Sequence, residues 1–360
     1  MRAAIFVAQD QPASIEDVTP IDPGPGDVVI RVGASGVCHS DLSVLNGTLP
    51  VQPAVVLGHE GAGTVEWVGS EVTRVKPGDR VIASLTPVCG SCWHCTRQES
   101  HLCEAGSELG SRKRVIRADG SEVNALSGLG TFAESMTTSE WAVVPVQTDV
   151  PDDQLALIGC GATTGLGAAL NTAAVFPGAT VAVIGCGGVG TAVIQGARIA
   201  GAAAIVVVDP VESRRKAALG FGATHAFDPG EADAVQQVLD ATGGRGVDFA
   251  FEVVGSEVLI QQALAMTRRG GTTVLVGVPR YDTTLTVGVL PLILTDRTIK
   301  GSYYGSSQAL RDFPRFVALI ESGRLDLGGM VSQHLPLDRL EDAFDAMRDG
   351  SGLRSVIIPN

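Results

Sequence analysis

Residues 180–209, TVAVIGCGGVGTAVIQGARIAGAAAIVVVD, decide the fold. TVAVIG is a short, β-branched apolar run that stops at glycine, as a buried strand does. VGTAVIQGARIAG has helical spacing, and AAIVVVD is a second buried run ending in Asp209. Strand, helix and strand of this length form a right-handed crossover unit, which implies a parallel sheet. Gly185-Cys186-Gly187-Gly188-Val189-Gly190 lies between the first strand and the helix. Gly185 permits the tight turn, Gly187 lets the backbone approach a pyrophosphate, and Gly190 lets the helix sit close to the sheet. The helix N-terminus then offers free N–H groups and positive dipole to phosphate. The motif alone is weak. Asp209, at the end of the next strand, stands where an acid would hold the adenosine ribose hydroxyls. An acid there repels a 2′-phosphate and favours NAD over NADP. Arg214, Arg215 and Lys216 follow closely and leave NADP open.

Downstream the alternation continues. ESRRKAALGFG (212–222) is a helix, and GVDFAFEVVG (246–255) and GTTVLVGV (271–278) are buried strands with the helix SEVLIQQALAMTRR (256–269) between them. Such alternation predicts an α/β domain, a doubly wound parallel sheet covered on both faces. Upstream, DVVIRVGASGV (27–37), GAGTVEWVG (61–69) and VKPGDRVI (75–82) make the N-terminal part, up to Cys160, mostly β. Between about 86 and 130 the pattern gives way to a polar, cysteine-rich lobe and a Gly/Ser loop. The tail holds a helix, FPRFVALIESG (313–323), and a final strand, LRSVIIP (353–359).

At 360 residues two domains are expected. A net charge of −13 disfavours nucleic acid and anionic membrane as partners. No apolar run is long enough for a membrane span. The start, MRAAIFVAQDQP, lacks signal-peptide features and reads as a first strand, so a cytoplasmic location is expected.

Seven cysteines in a reducing compartment point to metal or catalysis more than to disulfides. Cys89, Cys92, Cys95 and Cys103 fall within one short stretch. Four thiolates so spaced suit a closed tetrahedral zinc, which is structural because no coordination position is open. A redox CxxC needs a βαβ context that is absent here, and a nucleic-acid zinc ribbon fits poorly with the acidic balance. Cys38 in GVCHSDL, His59 in GHEGAG and Cys160 in GCGATTG would make a Cys2His set with a fourth position open for water or substrate. Taken singly, each is equally a buried apolar thiol or a satisfied core histidine.

GHEGAG, the four-cysteine lobe and GxGGVG, in this order, resemble the zinc-dependent medium-chain alcohol dehydrogenases, and the resemblance runs through nearly the whole chain. It implies a GroES-like, mostly β catalytic domain (1–161 and 305–360) and a Rossmann NAD-binding domain (162–304). It implies two zinc ions per chain, the catalytic one on Cys38, His59 and Cys160. It implies reversible oxidation of an alcohol by hydride transfer from a zinc-bound alkoxide to NAD. By matching positions, Glu60 is the near-zinc carboxylate, Asp41 orients His59, and Ser40 takes the alcohol proton. His39 and Arg354 match pyrophosphate contacts. Thr164 and Val189 flank the nicotinamide, Val278 contacts the carboxamide, and Arg214 lies near the adenosine. Many members carry a histidine a few positions after the serine; here that position is Ser43, so the proton relay ends at His39 or at water.

Two branches of the family lie close: the aryl and primary alcohol dehydrogenases, and the mycothiol-dependent formaldehyde dehydrogenases. Leu49, Leu85, Val88 and Trp93 are candidate pocket lining or plain core, and as lining they favour an apolar primary alcohol. S-(hydroxymethyl)mycothiol is the alternative substrate. Two other functions are weighed: a non-catalytic NAD(P)H-binding protein, and a zinc-independent reductase. Loss of a zinc ligand would favour the first, and no ligand is lost. The second lacks the cysteine lobe and the GHE pattern. A homodimer or homotetramer is expected, with TIKGSYYG (298–305) as an edge able to pair between subunits.

Overall fold

The computed structural model describes residues 1–359, apart from the side chain of Leu109. They form two compact units: Met1–Gly161 with Gln308–Gly323 and 327–359, and Ala162–Ser307 with Arg324–Asp326.

The second unit is built on residues 180–209. Its six strands are all parallel in the order His225–Phe227, Ala204–Val208, Thr180–Ile184, Val247–Glu252, Thr267–Leu275, Thr298–Gly301. The order starts in the middle and winds outward in both directions, which is the doubly wound arrangement. Strand periodicity of two splits the core. Val181, Val183, Ile205, Val207, Phe249 and Phe251 pack with Val193, Ile194 and Ala197 of the helix Gly188–Ile199. Ala182, Ile184, Val206, Val208 and Ala250 pack on the other face with Val238, Ala263 and Met266. A strand buried on both faces has no polar alternation, which explains the unbroken apolar runs. The helix expected over 256–269 ends at Met266, and Thr267-Arg268-Arg269 begin the next strand. Thr267 Oγ1 donates to the Ala263 carbonyl at 2.8 Å, and the chain turns extended at Thr267 with ψ 131°.

The first unit carries two sheets. The long strand Asp27–Gly36 is central to one, pairing with Gly61–Val68, Ser135–Ser139 and Arg354–Ile358. The final strand of the chain is thereby placed beside the strand that leads into Cys38. The other sheet joins Arg2–Phe6 to Ser14–Asp17, Val55–Val56 and a hairpin, Lys113–Ile116 with Glu122–Ala125. That hairpin stands within the stretch from about 86 to 130, where a polar, cysteine-rich lobe and a Gly/Ser loop are expected. Lys113 and Glu122 of its strands are exposed, Arg114 is buried against Asp27, and Asp119 holds the turn by accepting from Ser121 N–H at 2.9 Å. Among the described residues no single helix is long and apolar enough to cross a membrane.

Candidate active site

Three turns of the first unit converge. The strand Asp27–Gly36 delivers Cys38 at the N-cap of the short helix His39–Leu45. His59 and Glu60 immediately precede the strand Gly61–Val68, and Cys160 follows the helix Asp152–Ile158. The sulfurs of Cys38 and Cys160, a ring nitrogen of His59 and a carboxylate oxygen of Glu60 all lie within 4.8 Å of one another. Cys38, His59 and Glu60 are buried and Cys160 is 9% exposed.

Asp41 fixes this geometry. Its Oδ1 accepts from His59 Nδ1 at 3.1 Å and from Gly58 N–H at 3.1 Å, and its Oδ2 accepts from Cys38 N–H at 3.2 Å. Asp41 engages Nδ1, which leaves Nε2 facing away from the carboxylate. Nε2 is buried with no hydrogen-bond partner. A buried imidazole nitrogen without a proton partner, beside two sulfurs, is the donor set of a zinc ion. The Cys38 thiol lies well below the ordinary thiol range, lowered chiefly by the hydrogen bond from Cys160 and also by His59 and Arg354, against burial. Such a thiolate is the form that ligates metal.

Behind the ligands, Glu60 accepts from Gly161 N–H at 3.0 Å and pairs with Arg354, both side chains buried. Burial pushes the Glu60 carboxyl up to about 7 even beside that guanidinium. The pair fits only because glycines surround it. A Cβ on Gly36 would lie 2.2 Å from Glu60 Oε2, and one on Gly161 would lie 2.3 Å from Arg354 Nη1. Sequence reasoning overlooked these glycines as site residues. Their signal is that every candidate ligand has one close beside it in sequence: Gly36, Gly58, Gly61, Gly159 and Gly161. Arg354, matched by the resemblance to the pyrophosphate, has its guanidinium seated on Glu60. Ser40 Oγ stands 3.7 Å from Cys38 Sγ, and His39 is exposed at the start of the helix.

The lobe gathers Cys89, Cys92, Cys95 and Cys103, whose sulfurs also lie within 4.8 Å of one another. Backbone N–H groups point at them, Cys92 to Cys89 Sγ and Cys89 to Cys103 Sγ, each at 3.3 Å. The Ser91 and Cys92 amides hold the Cys89 thiol down to about 6. Four convergent sulfurs with amides aimed at them suit a closed tetrahedral zinc. None of the four cysteines is fully buried.

The four lining candidates are scattered. Leu49 packs against the core around Phe6 and Leu45, and Leu85 against that around Val28 and Val81. Val88 is buried. Trp93 is 54% exposed, with the Arg97 guanidinium 4.0 Å over its ring and His94 edge-on, so its indole serves the lobe surface. The cavity of about 390 Å³ in this unit lies on the outer sheet, between Gln52–Ala54 and the charged hairpin, and none of the four lines it.

In the second unit, Gly185 has φ +95°. A Cβ on Gly187 would meet nothing within 4 Å, so this face of the loop is open, whereas one on Gly190 would lie 1.8 Å from the Gly185 carbonyl. The loop is therefore tight inside and bare outside, the shape that admits a pyrophosphate to the helix N-terminus. Asp209 Oδ2 accepts from Cys186 N–H at 2.7 Å, tying the acid to the loop. Thr164 lies in the helix Gly161–Gly167, where Gly165 approaches the Val189 carbonyl. Val278 is exposed beside Gly255, Val189 lies in the first turn of the loop helix, and Arg214 in the helix Glu212–Phe221.

Residues 24–148 match the alcohol dehydrogenase GroES-like domain, and residues 188–322 match the zinc-binding dehydrogenase domain. The chain is 38% identical to the putative alcohol dehydrogenase D of Mycobacterium tuberculosis over 366 residues, 99% of each protein. It is 36% identical to the NDMA-dependent alcohol dehydrogenase of Amycolatopsis methanolica over 369 residues, 99% of this chain and 98% of that one. Among solved structures, a Burkholderia ambifaria alcohol dehydrogenase zinc-binding domain protein superposes with a TM-score of 0.95 at 34% identity, covering 100% of this chain and 99% of that one. The benzyl alcohol dehydrogenase of Acinetobacter calcoaceticus superposes at 0.93 and 31%, with the same coverage.

Proposed function

The chain belongs to the zinc-dependent medium-chain alcohol dehydrogenase family, and from that premise we propose that it oxidises a primary alcohol, aliphatic or aromatic, reversibly to the aldehyde with NAD. We assign one zinc to Cys38, His59 and Cys160 and a second to Cys89, Cys92, Cys95 and Cys103. The observation that carries this is the buried, unpartnered Nε2 of His59 facing two sulfurs while Asp41 holds Nδ1.

Bound zinc supplies Lewis acidity toward an alcohol oxygen, and NAD supplies the hydride acceptor. The chain's own residues do the rest. Asp41 fixes the tautomer and the angle of His59. The Glu60–Arg354 pair holds charge behind the ligands and keeps Gly161, next to Cys160, in place. Ser40 Oγ receives the alcohol proton and passes it on through His39 or water, since Ser43 is too short to extend the relay. Asp209 selects NAD, because a carboxylate tied to the glycine loop repels a 2′-phosphate. The benzyl alcohol dehydrogenase among the similar structures supports an aromatic or other primary alcohol.

A second copy is the macromolecular partner we propose, as homodimer or homotetramer. Thr298–Gly301 ends the parallel sheet, and the adjacent helix Val289–Thr295 exposes Val289, Leu290, Ile293 and Leu294 by 63–69% each. Free thiols used as ligands suit a reducing compartment, and we place the enzyme in the cytoplasm.

The test is NADH formation from NAD with benzyl alcohol, 1-hexanol, and formaldehyde with and without mycothiol, each with and without chelator. Chelator-sensitive turnover of the simple alcohols is expected. Turnover only with formaldehyde plus mycothiol moves the substrate to the thiol adduct, and nucleotide binding without turnover on any of them overturns the assignment. Light scattering of the purified protein reads the oligomer, and a monomer overturns that part.

A further inference from the structure

Asp228 lies outside the glycine loop, and it binds the arginine that is bonded to Asp209. Asp209 ends the second strand and is buried. Its carboxylate is held from two sides, by Cys186 N–H at 2.7 Å and Val211 N–H at 2.8 Å. Its backbone carbonyl accepts from Arg215 Nη1 at 2.7 Å. The same nitrogen lies 2.8 Å from Asp228 Oδ2, in a pair 15% and 21% exposed. Asp228 follows the third strand, which pairs Phe227 with Val208, and its Oδ1 accepts from Gly230 N–H at 2.8 Å. Of the other cations there, Lys216 pairs on the surface with Glu212 at 2.6 Å, and Arg214 Nε is buried without a partner.

We infer that Asp228 is a positioning residue for nucleotide choice: it anchors Arg215 to the end of the second strand, steadies the Asp209 turn, and withholds that guanidinium from the ribose 2′ position. The inference rests on the proposal that NAD is the nucleotide. An arginine beside the ribose acid is the group that accommodates a 2′-phosphate when it is free to turn. Here the opposing carboxylate neutralises it and fixes its direction. Two residues thus reject NADP: Asp209 by repulsion and Asp228 by keeping its cation engaged.

Asp228→Asn keeps the size and the Gly230 contact and removes the charge. Calorimetric Kd values for NADH and NADPH on the zinc-loaded enzyme read the effect without turnover. Wild type is expected to prefer NADH. In D228N the NADPH Kd should fall about tenfold, the scale of one new charge-assisted phosphate contact, with NADH weakened by no more than about threefold. D228E should keep the wild-type ratio, and D228N with Arg215→Gln should lose the gain. A D228N ratio within about twofold of wild type overturns the inference and leaves the NAD assignment standing. Wild type that prefers NADPH overturns the NAD assignment, and this inference with it.

Discussion

The carboxylate of Asp41 lies 3.1 Å from Nδ1 of His59 and 3.2 Å from the amide of Cys38, so one side chain sets the positions of two candidate ligands. By itself Asp41 reads as a first-turn acid of a short helix, and the family resemblance adds the expectation that it orients His59. In the structure it joins the helix N-terminus to the Gly58–His59 turn.

Asp41→Asn should loosen the catalytic metal and spare the other. Carboxylates that orient zinc-bound histidine are worth about 10–100-fold in affinity. After dialysis against a mild chelator, zinc should fall from about two to about one per chain, measured by plasma emission. Equal retention in D41N and wild type would show that His59 needs no such support.

In the proposed relay Ser40 takes the alcohol proton without binding the rest of the substrate, so Ser40→Ala should cut kcat by about 10²-fold with KM little changed. Ser40→Thr should retain most activity. Unchanged steady-state kinetics in S40A would remove Ser40 from the relay.

The lobe has no large apolar core, and its cysteines are only half buried. Cys95→Ser should abolish the second zinc, lower Tm by about 5–10 °C, and open the 86–110 segment to proteolysis. The catalytic metal should remain. Protease resistance and Tm equal to wild type would mean that the lobe is held by other contacts.

Gly187→Ala and Gly190→Ala should fail differently. The first adds a methyl into open space, so Tm without nucleotide should hold while NADH affinity falls about tenfold or more, as phosphate loses the backbone approach. The second drives a carbon to 1.8 Å from the Gly185 carbonyl, so Tm itself should fall. Calorimetry and thermal unfolding separate the two, and identical behaviour would contradict the geometry.

Asp248 staples the second unit. Its Oδ2 accepts from Thr180 N–H at 2.7 Å and from the Thr180 hydroxyl at 2.8 Å, and its Oδ1 accepts from Arg268 Nε at 2.6 Å. Burial acts to raise its carboxyl, but these donors outweigh burial and hold it below the ordinary value of 3.8. A depressed carboxyl contributes stability that is whole above that value and is lost as pH falls through the folded value. Asp248→Asn should cost about 1–3 kcal/mol at neutral pH in urea unfolding, and the gap to wild type should close in strong acid. A pH-independent gap would assign the cost to packing.

Much of the second unit is legible in the chain because its signals are local. The apolar runs, the glycine spacing and Asp209 all lie between Thr180 and Asp209, and each follows from backbone geometry. The cysteine lobe is legible for the same reason. The hairpin Lys113–Ile116 with Glu122–Ala125 is not, since its strands are short, one carries a buried arginine, Arg114, and a register irregularity breaks the alternation. The meeting of Cys38, His59 and Cys160, which stand far apart along the chain, is not read from spacing and enters only through the family resemblance. Residue type suggests a shared metal, but only the pairing of Asp27–Gly36 with Gly61–Val68 and the packing of Asp152–Ile158 bring them together. Trp93, named with Leu49, Leu85 and Val88 as lining or core, stands at the surface of the lobe with the Arg97 guanidinium over its ring, a contact that sequence does not announce.

The glycines around Glu60 and Arg354 have a consequence for inheritance. Every single-base change of a glycine codon that alters the residue installs a larger one. At Gly36 or Gly161 the first added carbon already falls on a buried charge. No small step is open there, so a descendant that remodels these turns must first, or at the same moment, give up the ion pair.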